Sequence, residues 1–530
     1  MHRRRWLILG VLVICLLVVI LDNTILNVAL KTIQQDLGAS QGDMEWAVNA
    51  YSLVFAGLLF TWGLTGDRFG RKRVLLIGMV LFGGFSALCA FADTSAHLIA
   101  ARALMGIGGA AVQPQTLSII TNVFEPEERG RAIGIWAGFS GLAVAIGPVT
   151  GGFLLEHFWW GSVFLVNVPF VVVGVVAIAI LVPESKNPHP SRFDPVGVLL
   201  SIAGLVLLVY GIIKGGQSTD WFSPQVWGTI FGGVALLGLF VLLERRSTHP
   251  SLDISLFRKP QFAASTGAVG LTFFALMGST FFLSFYLQSV RGYGALQAGL
   301  CLLGVAGGQV LAAPRSTKLA ERFGARVVVG GGLLTVAACF AVYTVVDRGT
   351  PLWALEVLMF FQGFGMGNIM APATNAVMGA VPREKAGAGS AVNNTVRQVG
   401  GSLGVAILGS ILSASYRGRL GSATDALPAQ VRGRDAAESI GGTMEAIGRT
   451  AAGVASGQLP RSALAGLGQV RSAASEAFVH AMHVTAVGAA VADLVGAMVV
   501  LAFLPKRVPA RWRPDPEAAE PAVPAGDQAG

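Results

Sequence analysis

Four charged residues lie deep inside apolar runs of this chain: Asp22, Arg102, Arg397 and Asp493. A charge near the middle of a bilayer costs about 2.5–3.5 kcal/mol even on a lenient insertion scale, so such residues are kept for pairing, proton exchange or ligand contact. At a rise of about 1.5 Å per helical residue, Asp22 stands roughly 24 Å from Trp6 and Arg102 roughly 8 Å from His97, which sets both toward the same face of a membrane. Arg397 and Asp493 both come out near the midplane. Two pairings are therefore open, Asp22 with Arg102 and Arg397 with Asp493, each either a structural ion pair or a working one. Asp22 is the better candidate for a proton site, because a carboxylate held away from water takes up a proton more readily. Asn23, Asn27, Gln113, Gln309, Gln362, Asn393, Asn394 and Gln398 share these runs; they either line a cavity or hydrogen-bond one helix to another. Glu356, Asp43 and Glu45 stand near span ends and read as interfacial or solvated. Phe274, Phe281 and Phe285 form a stripe for which lipid contact is the expectation.

The elements that must hold these residues are membrane helices. Apolar residues make up 53% of the 530-residue chain and charged residues 13%, too little polar surface for a soluble globule of this length. Runs of about 20 apolar residues, long enough to cross a bilayer, can be placed fourteen times, the first at 6 to 30 and the last at 482 to 504. Lys and Arg number 25 in the tails and loops of one side, against four in the short loops of the other. That bias places both termini in the cytoplasm, and the long loop 415–481 outside as a flexible hairpin containing at most a short helix. The tail 506–530 reads as disordered. The net charge of +9 follows this topology pattern, so no nucleic-acid partner is expected. Cys15, Cys89, Cys301 and Cys339 all fall in apolar runs and read as packing residues. No phosphate-binding GxxxxGK[ST] loop and no metal-ligand cluster occurs, so neither a nucleotide nor a cofactor nor a metal is expected. An ion gradient is left as the energy source.

Two loops repeat. GDRFGRKRV, from Gly66, matches AERFGARVV, from Ala320, and PEERGRA, from Pro126, matches PREKAGA, from Pro382. The correspondence shifts by eight spans, as two six-span halves with two spans inserted between them require. The expected divisions are 1–185, an inserted pair in 186–258, and 259–505. Repeated halves of this kind build a midplane site that opens to each side in turn.

The motifs resemble those of the major facilitator superfamily, and the inserted pair resembles its fourteen-span drug:proton antiporters of the EmrB/QacA type. LDNTILNVAL, from Leu21, is similar to the span 1 signature, with Lys31 where proline is usual; GLTGDRFGRKR, from Gly63, matches the loop after span 2. RALMGIGGAA, from Arg102, resembles the span 4 signature, and GPVTGG, from Gly147, the core of the antiporter signature of span 5. WWGSVFLVNVP departs from the pattern before FLVNVP. From the residues alone, Gly66 and Gly70 allow a tight turn, Arg68 and Arg71 belong to the basic topology signal, and Asp67 suits a helix start. By resemblance, Asp67 with Arg131 forms a cytoplasmic latch, and Gly147, Pro148, Gly151 and Gly152 form the kinked surface that seals exporters against leak. The resemblance implies an all-α, non-enzymatic, proton-coupled exporter of lipophilic, cationic drugs working by alternating access. It would be monomeric in a bacterial plasma membrane, exchanging protons for a small-molecule substrate. The alternatives are an exporter of one metabolite, lipid or siderophore, and a non-transporting sensor or scaffold.

Overall fold

A computed structural model describes residues 4–186, 194–217, 222–246, 254–379, 386–428, 435–456 and 458–504. The tail expected to be disordered lies outside the described residues. The elements are α-helices throughout this set, with short 3-10 and π turns between them. The first group is α1 (Arg5–Leu37), α2 (Gln41–Phe69), α3 (Arg71–Ala90), α4 (Ser95–Val123) and α5 (Pro126–His157), followed by the short α6 (Ser162–Leu165) and α7 (Asn167–Leu181). Then come α8 (Pro195–Gln217) and α9 (Pro224–Arg246). The last group is α10 (Pro260–Phe285), α11 (Ala295–Phe323), α12 (Ala325–Tyr343), α13 (Leu352–Gly379), α14 (Ala386–Leu420), α15 (Asp435–Glu438), α16 (Ile440–Ala455) and α17 (Leu467–Phe503).

Helix ends follow local chemistry. Ser40 caps α2 by accepting from the Asp43 amide at 3.1 Å while Asp43 accepts from the Ser40 amide at 3.0 Å, a reciprocal box. Thr94 caps α4 through the His97 amide, and Ser439 caps α16 through the Gly442 amide. Twelve helices among the described residues are long and apolar enough to cross a membrane, or thirteen with α2, which bends by 49° between Leu59 and Thr61. Bands of exposed Val, Ile, Leu and Phe on α3, α7, α9 and α17 suit lipid. The protein is a multi-pass membrane protein.

The same packing scheme appears twice. In the first group α2 packs on α4, α3 on α4 and α7, and α1 on α5 and α7; in the last group α11 packs on α13, α12 on α13 and α17, and α10 on α14 and α17. Substituting each element by its counterpart eight spans on converts one set into the other, as the loop repeat requires. Helices α8 and α9 form a hairpin whose α8 lies against α2 and α14.

The loop expected to be a flexible hairpin is instead built into the fold. Helix α14 runs on to Leu420 and α17 begins at Leu467, so both project beyond their apolar runs. Between them α16 buries Ile440, Thr443, Ala446 and Thr450. Tyr416 and Thr443 share a hydrogen bond of 2.6 Å, and Gln34 of α1 donates to Ser439 at 3.1 Å. This side is called the cap end below, and the side carrying Gly66–Arg73 the basic end.

A buried ion pair at the centre of the candidate site

The geometry joins Asp22 and Arg102. Arg102 Nη1 donates to Asp22 Oδ2 at 2.5 Å, and the two side chains are 0% and 1% exposed. The remaining contacts complete the cage. Asn167 Nδ2 donates to Asp22 Oδ1 at 2.9 Å and lies 3.1 Å from Ser86 Oγ, whose own proton goes to the Phe164 carbonyl at 2.8 Å. Arg102 Nε donates to the Ala47 carbonyl at 3.1 Å, and its guanidinium carbon stands 4.4 Å from the Tyr51 ring centroid. Four helices, α1, α2, α4 and α7, thus meet on this one ion pair. Arg102 Nη2 stays buried without a partner, so the cage leaves one donor free for another acceptor. Asn167 and Tyr51 were not singled out from sequence, because a neutral amide or a tyrosine in an apolar run is ordinary helix glue. The signal available was Asn167 within FLVNVP, the part of WWGSVFLVNVP that keeps the family pattern.

The second expected pair is not formed. Arg397 on α14 stands with its guanidinium carbon 4.8 Å from the Phe273 ring centroid, and its Nε is buried with no hydrogen-bond partner. Both carboxylate oxygens of Asp493, on α17, are buried without a hydrogen-bond partner. The equal heights counted along the two helices do not lead to a pair, since the Arg397 guanidinium lies over Phe273 and the Asp493 oxygens find no hydrogen-bond partner. The other polar candidates divide. Gln362 is buried and bonded to Tyr343 and Ser279, which makes it packing glue, and Gln309 lies against the Met366 sulfur. Gln113 Nε2 donates to Asn394 Oδ1 at 3.3 Å, a bridge between the two groups of helices. Asn27 donates to the Asn23 carbonyl and keeps a buried Oδ1 without a partner; Asn23 is half-buried. Asn393 is buried with its Oδ1 unpartnered, and Gln398 is half-buried. Phe281 and Phe285 are buried in an edge-on pair and Phe274 is partly buried against the core, which overturns the lipid-facing expectation.

At the basic end, Gly70 has φ +116°, and a Cβ there would lie 2.7 Å from the Glu184 carboxylate, so glycine is required. Gly66 is not a turn residue; it lies within α2, where a Cβ would collide with the Gln115 side chain. Asp67 falls in the last turn of α2 rather than at a helix start, and it accepts from Arg71 Nε and Nη2 at 2.9 and 2.8 Å. One free amide of α3 goes to a residue the sequence did not flag, as Glu184 Oε1 accepts from the Lys72 amide at 3.1 Å, and the Arg71 amide goes to the Ser185 carbonyl at 3.0 Å. Arg68 is exposed beside Phe69. The side chain of Arg131 lies outside the described residues.

The glycines of α5 are contact points. A Cβ on Gly147 would meet Thr24 Oγ1 and one on Gly151 the Ile25 side chain, both on α1. On the other side, a Cβ on Gly152 would lie 2.5 Å from the Leu296 Cα, and one on Gly299 would lie 2.2 Å from the carbonyl oxygen of Pro148. Helices α5 and α11 therefore touch backbone to backbone across the two groups. Nearby, Lys31 Nζ donates to the Gln288 carbonyl at 2.7 Å, Gln288 Nε2 to the Val28 carbonyl at 3.0 Å, and Ser284 to the Asn27 carbonyl at 2.7 Å. These contacts close the cap end.

Comparison with known proteins agrees with this architecture. The chain is 38% identical over 498 residues to the multidrug efflux pump LfrA of Mycolicibacterium smegmatis, covering 94% of this chain and 96% of that one. It is 35% identical to the methyl viologen resistance protein SmvA of Salmonella typhimurium, covering 84% and 89%. It is 34% identical to the tetracenomycin C resistance and export protein of Streptomyces glaucescens, covering 77% and 76%. Among solved structures, a bacterial homolog of the human lysosomal transporter Spinster superposes with a TM-score of 0.64 at 18% identity, covering 95% of this chain and 98% of that one, which speaks to fold alone. The family profile of the Major Facilitator Superfamily matches residues 12–405, and the chain belongs to that superfamily.

Proposed function

We propose that this protein is a proton-coupled exporter of lipophilic, cationic drugs, a fourteen-span member of its superfamily in a bacterial plasma membrane with both termini cytoplasmic. The observation that carries the reading is the Asp22–Arg102 pair, closed off from solvent in a bundle whose relatives are named for drug efflux and resistance. The halves 1–185 and 259–505 would rock against one another, parting and remaking the α5–α11 and α1–α10 contacts at the cap end, with the basic end on the cytoplasmic side. In the arrangement described here Asp22 holds Arg102 and Asn167. Once the cap-end contacts part, a proton reaching Asp22 Oδ2 from that side replaces the guanidinium, which retains the Ala47 carbonyl and the Tyr51 ring. Loss of the pair frees α4 from α1, and return of the proton on the cytoplasmic side restores it. Each proton moved down 100 mV supplies about 2.3 kcal/mol to drive substrate outward. Asn27, Gln113 and Asn394 offer uncharged polar groups to the substrate path, and the protein works as a monomer.

The test is efflux of a lipophilic cationic dye from a host lacking its own pumps. Expression of this chain lowers dye accumulation, and a protonophore restores it. Efflux insensitive to the protonophore contradicts proton coupling. A panel of cations of different shape separates broad export from export of one metabolite, for which a single compound would be moved.

A further inference from the structure

Glu45 is four residues into α2, about 6 Å along the helix, where a carboxylate would ordinarily reach water. It is instead 2% exposed, and its Oε2 is buried with no hydrogen-bond partner. What covers it is α14. A Cβ on Gly409 would lie 2.6 Å from Glu45 Oε1, so the glycine is what lets the two helices meet around the carboxyl group. The surrounding polar atoms are also unpartnered. Gln41 Nε2 and both side-chain polar atoms of Asn49, one turn before and one turn after Glu45 on the same face of α2, are buried without hydrogen bonds. On α14, Ser413 Oγ, one turn beyond Gly409, is in the same condition.

No described cation answers the carboxylate with an ion pair. Arg417, farther along α14, donates to the Gly216 carbonyl of α8, and Ser410 donates to the Ile212 carbonyl. Tyr210 of α8 sits by Trp46, with ring centroids 6.2 Å apart. Asp43, on α2 itself, is taken up in the cap with Ser40. An isolated ionised carboxylate in such a place is far costlier than a neutral one, so the closed junction suits the carboxylic acid.

We propose that Glu45 is a second proton-binding site, separate from Asp22, and that protonation from the cap end is what permits α14 to close against α2. Hydronium gives its proton to the Glu45 carboxylate while the junction is open, leaving water and a neutral carboxylic acid. When the junction reopens the proton returns to water on the same side, so this site gates closure and adds nothing to net proton movement. The opposite face of α2 carries the Ala47 carbonyl and the Tyr51 ring that hold Arg102, which places α2 between the gate and the coupling pair.

The inference rests on the alternating-access reading above, and the experiment separates the two. Spin labels at Asp36→Cys, in the last turn of α1 just before α2, and at Gly418→Cys on α14, both exposed at the cap end, report the spacing across the junction in full-length protein in lipid nanodiscs; the four native cysteines are buried. The closed population, relative to the open one, is expected to rise as pH falls from 8 to 5, by up to about tenfold per pH unit for a single linked proton. Glu45→Gln, which mimics the neutral acid, is expected to hold the junction closed at every pH, and Glu45→Asp to keep the pH response. Asp22→Asn is expected to keep it too. A Glu45→Gln protein that opens with rising pH as the parent does overturns the proposal. Dye export by the unlabelled parent tests proton coupling independently, so failure of that reading leaves the distance result standing.

Discussion

One carboxylate, Asp22, is held by a guanidinium and an amide, and that guanidinium in turn by the Ala47 carbonyl and the Tyr51 ring, so that four helices contribute. Removing only the cation leaves a buried charge unanswered. Arg102→Met is therefore expected to destabilise the protein by about 3–5 kcal/mol, and adding Asp22→Asn to recover most of that loss. Thermal unfolding of the single and double variants in detergent measures this, and equal loss in both contradicts the pairing. Asn167→Ala removes a hydrogen bond to a charged acceptor and should cost about 1.5–3 kcal/mol by the same measurement. The Asp22–Arg102 pair was legible in the sequence because deep charges are few and their heights could be counted from the helix starts. Height does not give direction around the helix axis, and Arg397 and Asp493, placed level by the same count, form no pair. Glu45 was read as solvated for a similar reason: nothing near it in sequence announces that Gly409, more than 360 positions away, lies over it.

Among the elements, the turns and close crossings depend on a few glycines. Gly70→Ala places a side chain at φ +116° against the Glu184 carboxylate and is expected to cost about 1–3 kcal/mol, with Glu184→Ala relieving only the collision and not the backbone strain. Gly152→Ala drives a methyl into the backbone of α11 at Ala295 and Leu296. Overpacking of about 1–3 kcal/mol at that crossing should favour an arrangement in which the cap end is parted, since the proposed rocking makes this contact only when that end is closed. Increased labelling of a cysteine placed at Leu296 is the check; unchanged labelling shows that the crossing does not move. The motif was visible in the sequence as GPVTGG, but which helix each glycine faces was not, since a motif fixes a surface and not its partner. Helix α16 was visible only as a weak possibility because its glycines lower intrinsic helix propensity, and its packing on α1 and α17 outweighs that.

For the molecule as a whole, the helix pairs of the first group recur eight spans on, yet the chemistry does not. The offset of 254 residues between the first pair of repeated loops, 256 between the second, carries Asp22 onto Leu276 and Arg102 into Glu356–Leu358, so the ion pair has no copy at the matching positions of the second half. The architecture was readable because apolar runs and loop charges are written locally, and the repeat doubles the signal. On the proposed reading, coupling rests with the first half and the second moves against it. The most direct test reconstitutes the protein in liposomes with a pH-sensitive dye enclosed and a gradient imposed across the membrane. Adding a transported lipophilic cation should accelerate proton movement through the parent protein and not through Asp22→Asn, with both proteins folded and equally inserted. Substrate-stimulated proton flux of equal rate in Asp22→Asn would contradict the account.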